Sequence, residues 1–528
     1  MAGSGRSLLA STGAALLVAL AVASCGGGGS DTQTSTASVN KASPGPRPNI
    51  VVIMSDDQDV ASMATAMPRT EQLARSGTTF NDFVVTTPSC CPSRAAFLTG
   101  QYGHNNGVLA NIPGYPDLLN KEDVLPAWLQ RAGYKTAEFG KFMNLYETTA
   151  TEGGNLPAPG WDVWDPLLPP FTYYDYSLSI HGQPRHYGSA DHDYLTDVLT
   201  DRAVRFLDSN RSSHQPFFAW VNLYAPHLTA DTEVRGGKCT GSAVPAPRDR
   251  GRFTPANVPT PRSFGEPDVT DKPYFVRARP PISANRARRY KQAEACRLGS
   301  IVDVDRSVKR IYSTLERNGQ LDNTLVVFTS DNGWLEGQHR LEGKAVPYDE
   351  SVRVPLIVWA PPGLLGGQAP PKTISQPVAN IDLAPTILQA ASAPSCRTNN
   401  ICRVVDGRSM VPLLRGHAGS WPQHEPILLE SLEGDFGICG FEAVRVPGYM
   451  YAEYSPFASG SSGECGPVSA RELYNLDSDP SELKNLLPAP AGSPDAKVAE
   501  RLSSELARIR DCQGNGSDDP RNDVVPCP

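Results

Sequence analysis

Past residue 25 the sequence has no apolar run approaching the roughly 20 residues that span a bilayer, so nothing in that stretch reads as a transmembrane segment. Positive charge is also short, since 48 Lys and Arg stand against 56 Asp and Glu, for a formal net charge of −8. That balance argues against nucleic acid as a partner, although a few cations inside a pocket can still hold an anion. Neither HExxH nor clustered Cys/His spacing is present, which removes the usual zinc-hydrolase signatures. No internal repeat is found. What the chain has in quantity is proline (48) and glycine (46), the mark of long loops on a rigid scaffold. With 528 residues and 40% apolar content, it can bury a real core as two or more domains, or as one large domain with an appendage.

Residues 1–25 read as a processing segment. Arg6 supplies a positive end, Leu8 to Ser24 is mostly Ala, Leu and Val, and Val22-Ala23-Ser24-Cys25 resembles a bacterial lipobox. Lipidation at Cys25 is favoured over a plain secretory cut near Ser24, because the Gly-rich run after it makes a flexible tether over residues 26–46. The expectation is an exported lipoprotein held at the cell membrane by its N-terminal lipid only. Setting aside Cys25, Cys90 and Cys91 from 11 cysteines leaves an even number, which in an exported protein invites disulfides. Eight cysteines allow 105 connectivities. Short separations nevertheless suggest Cys396–Cys402, Cys439–Cys465 and Cys512–Cys527, leaving Cys239–Cys296.

Apolar runs at Ile50 to Met54, Phe217 to Leu223, Thr324 to Ser330 and Pro355 to Trp359 predict strands buried on both faces, and Tyr134 to Phe139 reads as a further strand running into Gly140-Lys141. Helical periodicity over Asp123 to Gly133, Asp193 to Ser209 and Asn285 to Asn318 alternates with them. The fold class is therefore α/β, a doubly wound, mostly parallel sheet flanked by helices over residues 47–424. Residues 236–285, rich in Pro, Gly and Arg, form an insertion of unpredicted course. From residue 425 to 528 the pattern changes to a smaller α+β subdomain, with antiparallel strands at Phe441 to Val446 and Tyr449 to Tyr454 and a short helix from Leu502 to Ile509.

Open α/β sheets bind ligands at the C-terminal ends of their strands. Two strands here deliver acids: Asp56 and Asp57 after the first, Asp331 and Asn332 after another. Three carboxylates and an amide oxygen form a hard site for Ca²⁺ or Mg²⁺ rather than zinc. The stretch Ser89-Cys90-Cys91-Pro92-Ser93-Arg94 adds a sulfur nucleophile. Pro92 suits a first helical turn, so Ser89 to Cys91 should be the loop entering a helix, with Cys90 among unpaired N–H groups and Arg94 one turn on.

Cys90-x-Pro92-Ser93-Arg94, followed by Leu98-Thr99-Gly100, resembles the signature of the type I sulfatases, members of the alkaline-phosphatase-like superfamily. Other family motifs recur in order from about Arg47 to Leu486. The doubled cysteine and Gly140-Lys141-Phe142-Met143-Asn144 are most similar to the N-acetylglucosamine-6-sulfatase and heparan 6-endosulfatase branch. The resemblance implies that a formylglycine-generating enzyme oxidises Cys90 to formylglycine (3-oxoalanine), whose hydrate is the nucleophile. It also implies that Asp56, Asp57, Asp331 and Asn332, with Cys90, hold one Ca²⁺ or Mg²⁺. Arg94, Lys141 and Lys344 surround the sulfate, and His227 in Ala225-Pro226-His227 assists the ester oxygen. Many sulfatases carry a histidine where this chain has Met143, so the base that regenerates the aldehyde is expected elsewhere, at His339 or a metal-bound carboxylate. Asn144, His104 and His339 are candidate substrate contacts, His104 equally a turn stabiliser. The implied activity is release of inorganic sulfate from sulfated sugars or aryl sulfates. The alternatives are a phosphate or phosphonate ester hydrolase on the same site, or a non-catalytic lipoprotein that binds sulfated glycans.

Overall fold

The computed structural model describes residues 47–149, 151–229, 238–396, 402–422, 425–431, 438–454, 470–514 and 527. The expected signal peptide, Cys25 and the tether lie outside the described residues. All five segments are strands, and they lie side by side, buried on both faces. From one edge to the other the main sheet runs Thr373–Ile374, Thr78–Phe80, Leu356–Trp359, Thr324–Ser330, Asn49–Ser55, Phe217–Asn222, Lys135–Gly140, Val163–Leu168, Tyr176–Ile180 and Gln183–Tyr187. The five strands from Thr324–Ser330 to Val163–Leu168 are mutually parallel. Leu356–Trp359 is antiparallel to both neighbours, and the last two strands close the far edge as an antiparallel pair.

Two apolar layers cover the sheet. On one face, Ile50, Val52, Phe218, Trp220 and Leu325 pack under the helix Cys90–Thr99 and its neighbours. On the other, Val51, Ile53, Phe139 and Phe328 pack under the helices Leu195–Ser209 and Ala284–Arg317. The alternation of neighbours along Ile50 to Ile53 between the two layers is the period-2 pattern of a strand. No described helix is long and apolar enough to cross a membrane.

A separate four-stranded antiparallel sheet, Ile427–Ser431, Phe441–Val446, Tyr449–Tyr454 and Ala470–Asn475, follows in chain order. The helix packed on it runs Pro494–Ile509, eight residues earlier than the expected start at Leu502. Ser493 caps it by accepting from Ala496 N, and Pro494 opens it, a start signal carried by polar residues rather than by apolar period. Bridges join Cys396 to Cys402 and Cys512 to Cys527, as their short separations suggested, and Cys239 to Cys296, the pair those left over. Cys439 is disulfide-bonded, and Cys465 lies outside the described residues.

Candidate active site

Four adjacent parallel strands end at one place. Register puts Ser55 beside Ser330, Met54 beside Asn222 and Asn222 beside Gly140, so Asp56-Asp57, Asp331-Asn332, Asn222 and Lys141 emerge together. Gly140 makes this possible: it has φ +114, and a Cβ there would lie 2.0 Å from the Asn222 carbonyl oxygen. Asp57 also takes a left-handed backbone (φ +64), a strained conformation for a non-glycine residue, held by its N–H donating to Asp331 Oδ1 at 3.1 Å.

Above this edge the helix Cys90–Thr99 points its N-terminus at the acids. It begins at Cys90, two residues sooner than expected, with Ser89 as the cap residue. Pro92 is tolerated because the first N–H groups of a helix have no intrahelical partner to lose. Cys90 Sγ lies 3.3 Å from Asp56 Oδ1, 3.9 Å from Asp57 Oδ1, 3.3 Å from Lys141 Nζ and 2.7 Å from Lys344 Nζ. Arg94, fully buried, donates from Nε to Asp331 Oδ2 at 2.9 Å and from its terminal nitrogens to Asp56 Oδ2 at 3.2 Å and Asn222 Oδ1 at 3.3 Å. Lys141 Nζ pairs with Asp56 Oδ2 at 2.6 Å, and Lys344 Nζ with Asp57 Oδ1.

Charge and burial act against each other here. Burial raises the Asp56 carboxyl, but Lys141, then His227, Arg94 and Lys344, pull it well below the ordinary range. Asp57 is likewise lowered, its burial outweighed chiefly by Lys344 and His227. Burial, with Asp331 and Asp56, pushes the Cys90 thiol well above its usual value. Burial, outweighing Arg94 and Lys141, pushes Cys91 up to about 12, leaving it an inert thiol beside the site. His227 turns Nε2 toward Asp57 Oδ2 at 3.6 Å, while Nδ1 donates to the Leu228 carbonyl at 2.6 Å. Burial and Lys141 lower its pKa to about 4, so the ring is neutral with a bare Nε2 facing the acids.

The donor set fits a hard divalent cation. Ligand atoms of Asp56, Asp57, Cys90 and Asp331 lie within 4.8 Å of one another. Asp57 Oδ2 is buried without a hydrogen bond. Asn332 Nδ2 donates to Asp57 Oδ1, and turning that amide over presents Oδ1 instead. Carboxylate and amide oxygens are the donors Ca²⁺ and Mg²⁺ take.

Asn144 lines a crevice with Lys141, Phe142, Met143 and Phe171, and its Oδ1 is buried without a hydrogen bond. The two other histidines lie elsewhere. His104 spends Nδ1 on Glu430 Oε2 at 2.9 Å and Nε2 on the Cys512 carbonyl at 2.9 Å, and it stacks on Tyr102. With both nitrogens taken it ties the Cys90 helix region to the C-terminal segment instead of lining a pocket. His339 is fully buried against Glu266 at 2.7 Å and stacked on Tyr348, with no contact to Cys90 or the strand-end acids. A histidine in a turn motif reads the same in either role, and here the carboxylate partners, distant in sequence, decide it.

Sequence reasoning missed four supporting residues. Asn222 accepts from Arg94 and donates from Nδ2 to Glu138 Oε1 at 3.1 Å, and burial pushes the Glu138 carboxyl well above its normal value. Arg297 donates to the Asp57 carbonyl at 2.8 Å. Trp334 lies 5.7 Å from the Arg297 guanidinium and 5.9 Å from Lys344 Nζ, spacing the two cations. The available signals were an asparagine closing an apolar strand and an arginine on the buried stripe of a long helix.

Comparison with known proteins places this site in context. A family model described as Sulfatase matches residues 48–393. An extracellular sulfatase SULF-1 homolog of Drosophila melanogaster is 33% identical over 399 residues, covering 73% of this chain and 33% of that protein. The chain thus spans about a third of that relative's length. An N-acetylglucosamine-6-sulfatase of Capra hircus is 31% identical over 508 residues, 90% of this chain and 85% of the goat protein. A solved structure described as being in complex with its substrate D-glucosamine-2-N,6-O-disulfate superposes with TM-score 0.67 at 22% identity, over 87% of this chain and 98% of that one.

Proposed function

The chain belongs to the sulfatase family and is a sulfuric ester hydrolase, and we propose that it releases sulfate from a sulfated sugar at the corner around Cys90. The observation that carries this reading is the placement of Cys90 Sγ between Asp56, Lys141 and Lys344 at a buried helix N-terminus. As a thiol Cys90 is a poor nucleophile, since burial and the facing carboxylates hold its proton. Conversion to formylglycine by a formylglycine-generating enzyme removes that difficulty. The hydrated aldehyde supplies an oxygen nucleophile, and a Ca²⁺ or Mg²⁺ held by Asp56, Asp57, Asp331 and Asn332 neutralises oxygen charge beside it.

Charge matching supports the assignment. Asp56, Asp57 and Asp331 are offset by Arg94, Lys141 and Lys344, so a divalent cation leaves the corner doubly positive. A sulfate monoester and one ionised hydroxyl bring the balance to zero. Lys141 and Lys344 orient the sulfate, and Arg94, locked by Asp56, Asp331 and Asn222, fixes the helix end against the strand ends. Lys344 carries a proton and serves the leaving oxygen. His227 enters with a bare Nε2 and takes a proton at the corner, the work that Met143 cannot do and that His339, held against Glu266, does not share. Asn144 in the adjoining crevice contacts the sugar.

The goat relative, an N-acetylglucosamine-6-sulfatase, supports a 6-sulfated amino sugar as the preferred substrate, and export with an N-terminal lipid at Cys25 would place the enzyme where such polymers are met. Release of sulfate from 6-sulfated N-acetylglucosamine and its oligomers, set against paired nitrophenyl sulfate and phosphate, tests this. Efficient sulfate release supports it. Higher kcat/KM for the phosphate ester, or no release from the sugar, overturns it.

A further inference from the structure

We propose that His339, Glu350 and Glu482 form a second cation site, separate from the Cys90 corner, that takes a divalent first-row metal ion of the zinc type. One ligand atom from each of the three residues lies within 4.8 Å of the others. His339 and Glu482 are fully buried.

Each ligand is held from outside and presents its remaining atom inward. Glu266 Oε2 accepts from His339 Nδ1 at 2.7 Å, which leaves Nε2 as the ring atom turned toward the cluster. That Nε2 makes no hydrogen bond and faces Glu350 Oε2 at 3.8 Å. Ser263 Oγ donates to Glu350 Oε1 at 2.7 Å. Asp349 N–H donates to Glu482 Oε2 at 2.7 Å, while Glu482 Oε1 is buried without a hydrogen bond. Carboxylate-oriented histidine beside anchored carboxylates is the outer arrangement that metal ligands require.

In a buried site this cluster needs positive charge among its members: burial, with Asp349 and Glu350, raises the Glu482 carboxyl well above its ordinary value, so a proton is the alternative occupant to a metal ion. The neighbouring side-chain cations are engaged elsewhere. Arg445 pairs with Asp349 at 2.7 Å and with Asp82 at 3.0 Å, and Arg353 pairs with Asp349. Lys272 donates to the Tyr474 hydroxyl at 2.8 Å and to the Glu482 carbonyl at 2.6 Å, and it lies 3.6 Å from Glu266 Oε1, so its charge offsets Glu266 rather than the three ligands. An imidazole with two carboxylates is a mixed nitrogen and oxygen set, which suits Zn²⁺ or Mn²⁺ better than Ca²⁺.

The position gives such an ion a purpose. His339 lies five residues before Lys344 on the same loop. The Glu350 carbonyl backs Gly333 so closely that a Cβ there would lie 2.0 Å from it, and Gly333 follows Asn332. Glu482 comes from beyond the last strand of the four-stranded sheet. The ion ties that segment to both loops that reach the Cys90 corner.

The test uses full-length protein without a histidine tag, stripped by chelator, given Zn²⁺ in excess Ca²⁺, desalted and counted for zinc. One Zn²⁺ per chain is expected in the wild type and in Cys90→Ser, with none in His339→Gln or Glu350→Gln and a zinc-dependent rise in unfolding temperature only where zinc is kept. Crystals measured at the zinc edge should show anomalous density beside His339 Nε2. If His339→Gln fails to fold, Glu350→Gln decides alone. No retained zinc in the wild type, which would mean that a proton occupies the cluster, or equal retention in the folded variants, overturns the proposal.

Discussion

Around Cys90, three buried carboxylates face three side-chain cations, whereas around His339 two carboxyl groups face a ring nitrogen that makes no hydrogen bond. The residue types are alike and the loop from His339 to Lys344 joins the two places. In the first, the protein supplies its own positive charge, which positions Arg94, Lys141 and Lys344 for an incoming anion. In the second it supplies too little, which marks a place for a resident ion. Pairing therefore matters more than composition: a buried carboxylate cluster works on a passing substrate when its cations are built in, and holds an ion permanently when they are not.

The comparison breaks most visibly at Cys90. Cys90→Ser should lower sulfate release by about a thousandfold or more, as loss of a nucleophile does, with the unfolding temperature unchanged. A steady-state assay and a thermal melt on one preparation check both halves. Asp331→Ala comes next, weakening cation affinity by at least about 100-fold, with rate partly restored by high Ca²⁺ or Mg²⁺. His339→Gln should do the reverse of both, costing stability before activity. Lys344→Met should cost about 100-fold in kcat on a 6-sulfated sugar and clearly less on nitrophenyl sulfate, whose leaving group needs little proton assistance. Equal losses on both substrates would leave Lys344 only its charge.

The smallest effect belongs to His104. Burial opposes its charge, but Glu430 and the Cys512 carbonyl outweigh burial and hold its pKa at about 9. A histidine raised above its unfolded value stabilises the fold fully below pH 6.5 and loses that contribution as pH rises through 9. The contribution is about 3 kcal/mol at most. Melting curves of the wild type and His104→Gln should therefore converge as pH increases through that window. A constant gap would assign His104 a packing role only.

The parts legible in the sequence were those with long-range apolar continuity. Ile50 to Met54, Phe217 to Leu223 and Thr324 to Ser330 could only be doubly buried strands, and the acids at their ends followed. Gln183–Tyr187 could not be read that way, since it is an exposed edge strand with no apolar alternation. Thr373–Ile374 is two residues long, too short for any period. In the site, Cys90, Asp56, Asp57, Lys141 and Lys344 share one corner because motif and strand end coincide. Asn222, Arg297 and Glu138 were hidden because their work is done by contacts with residues far away in the chain. The assignments of His104 and His339 turned on Glu430 and Glu266, which no local pattern announces.

The central claim, that Cys90 works as formylglycine, is tested most directly by the mass of tryptic peptide Ser76–Arg94 from active enzyme purified from its own source. The account predicts a peptide lighter than the encoded one by the exchange of sulfur and two hydrogens for oxygen, reactive toward hydrazide, with Cys91 as its only alkylatable thiol. A fully active preparation whose peptide keeps the encoded mass and alkylates at both Cys90 and Cys91 would contradict it.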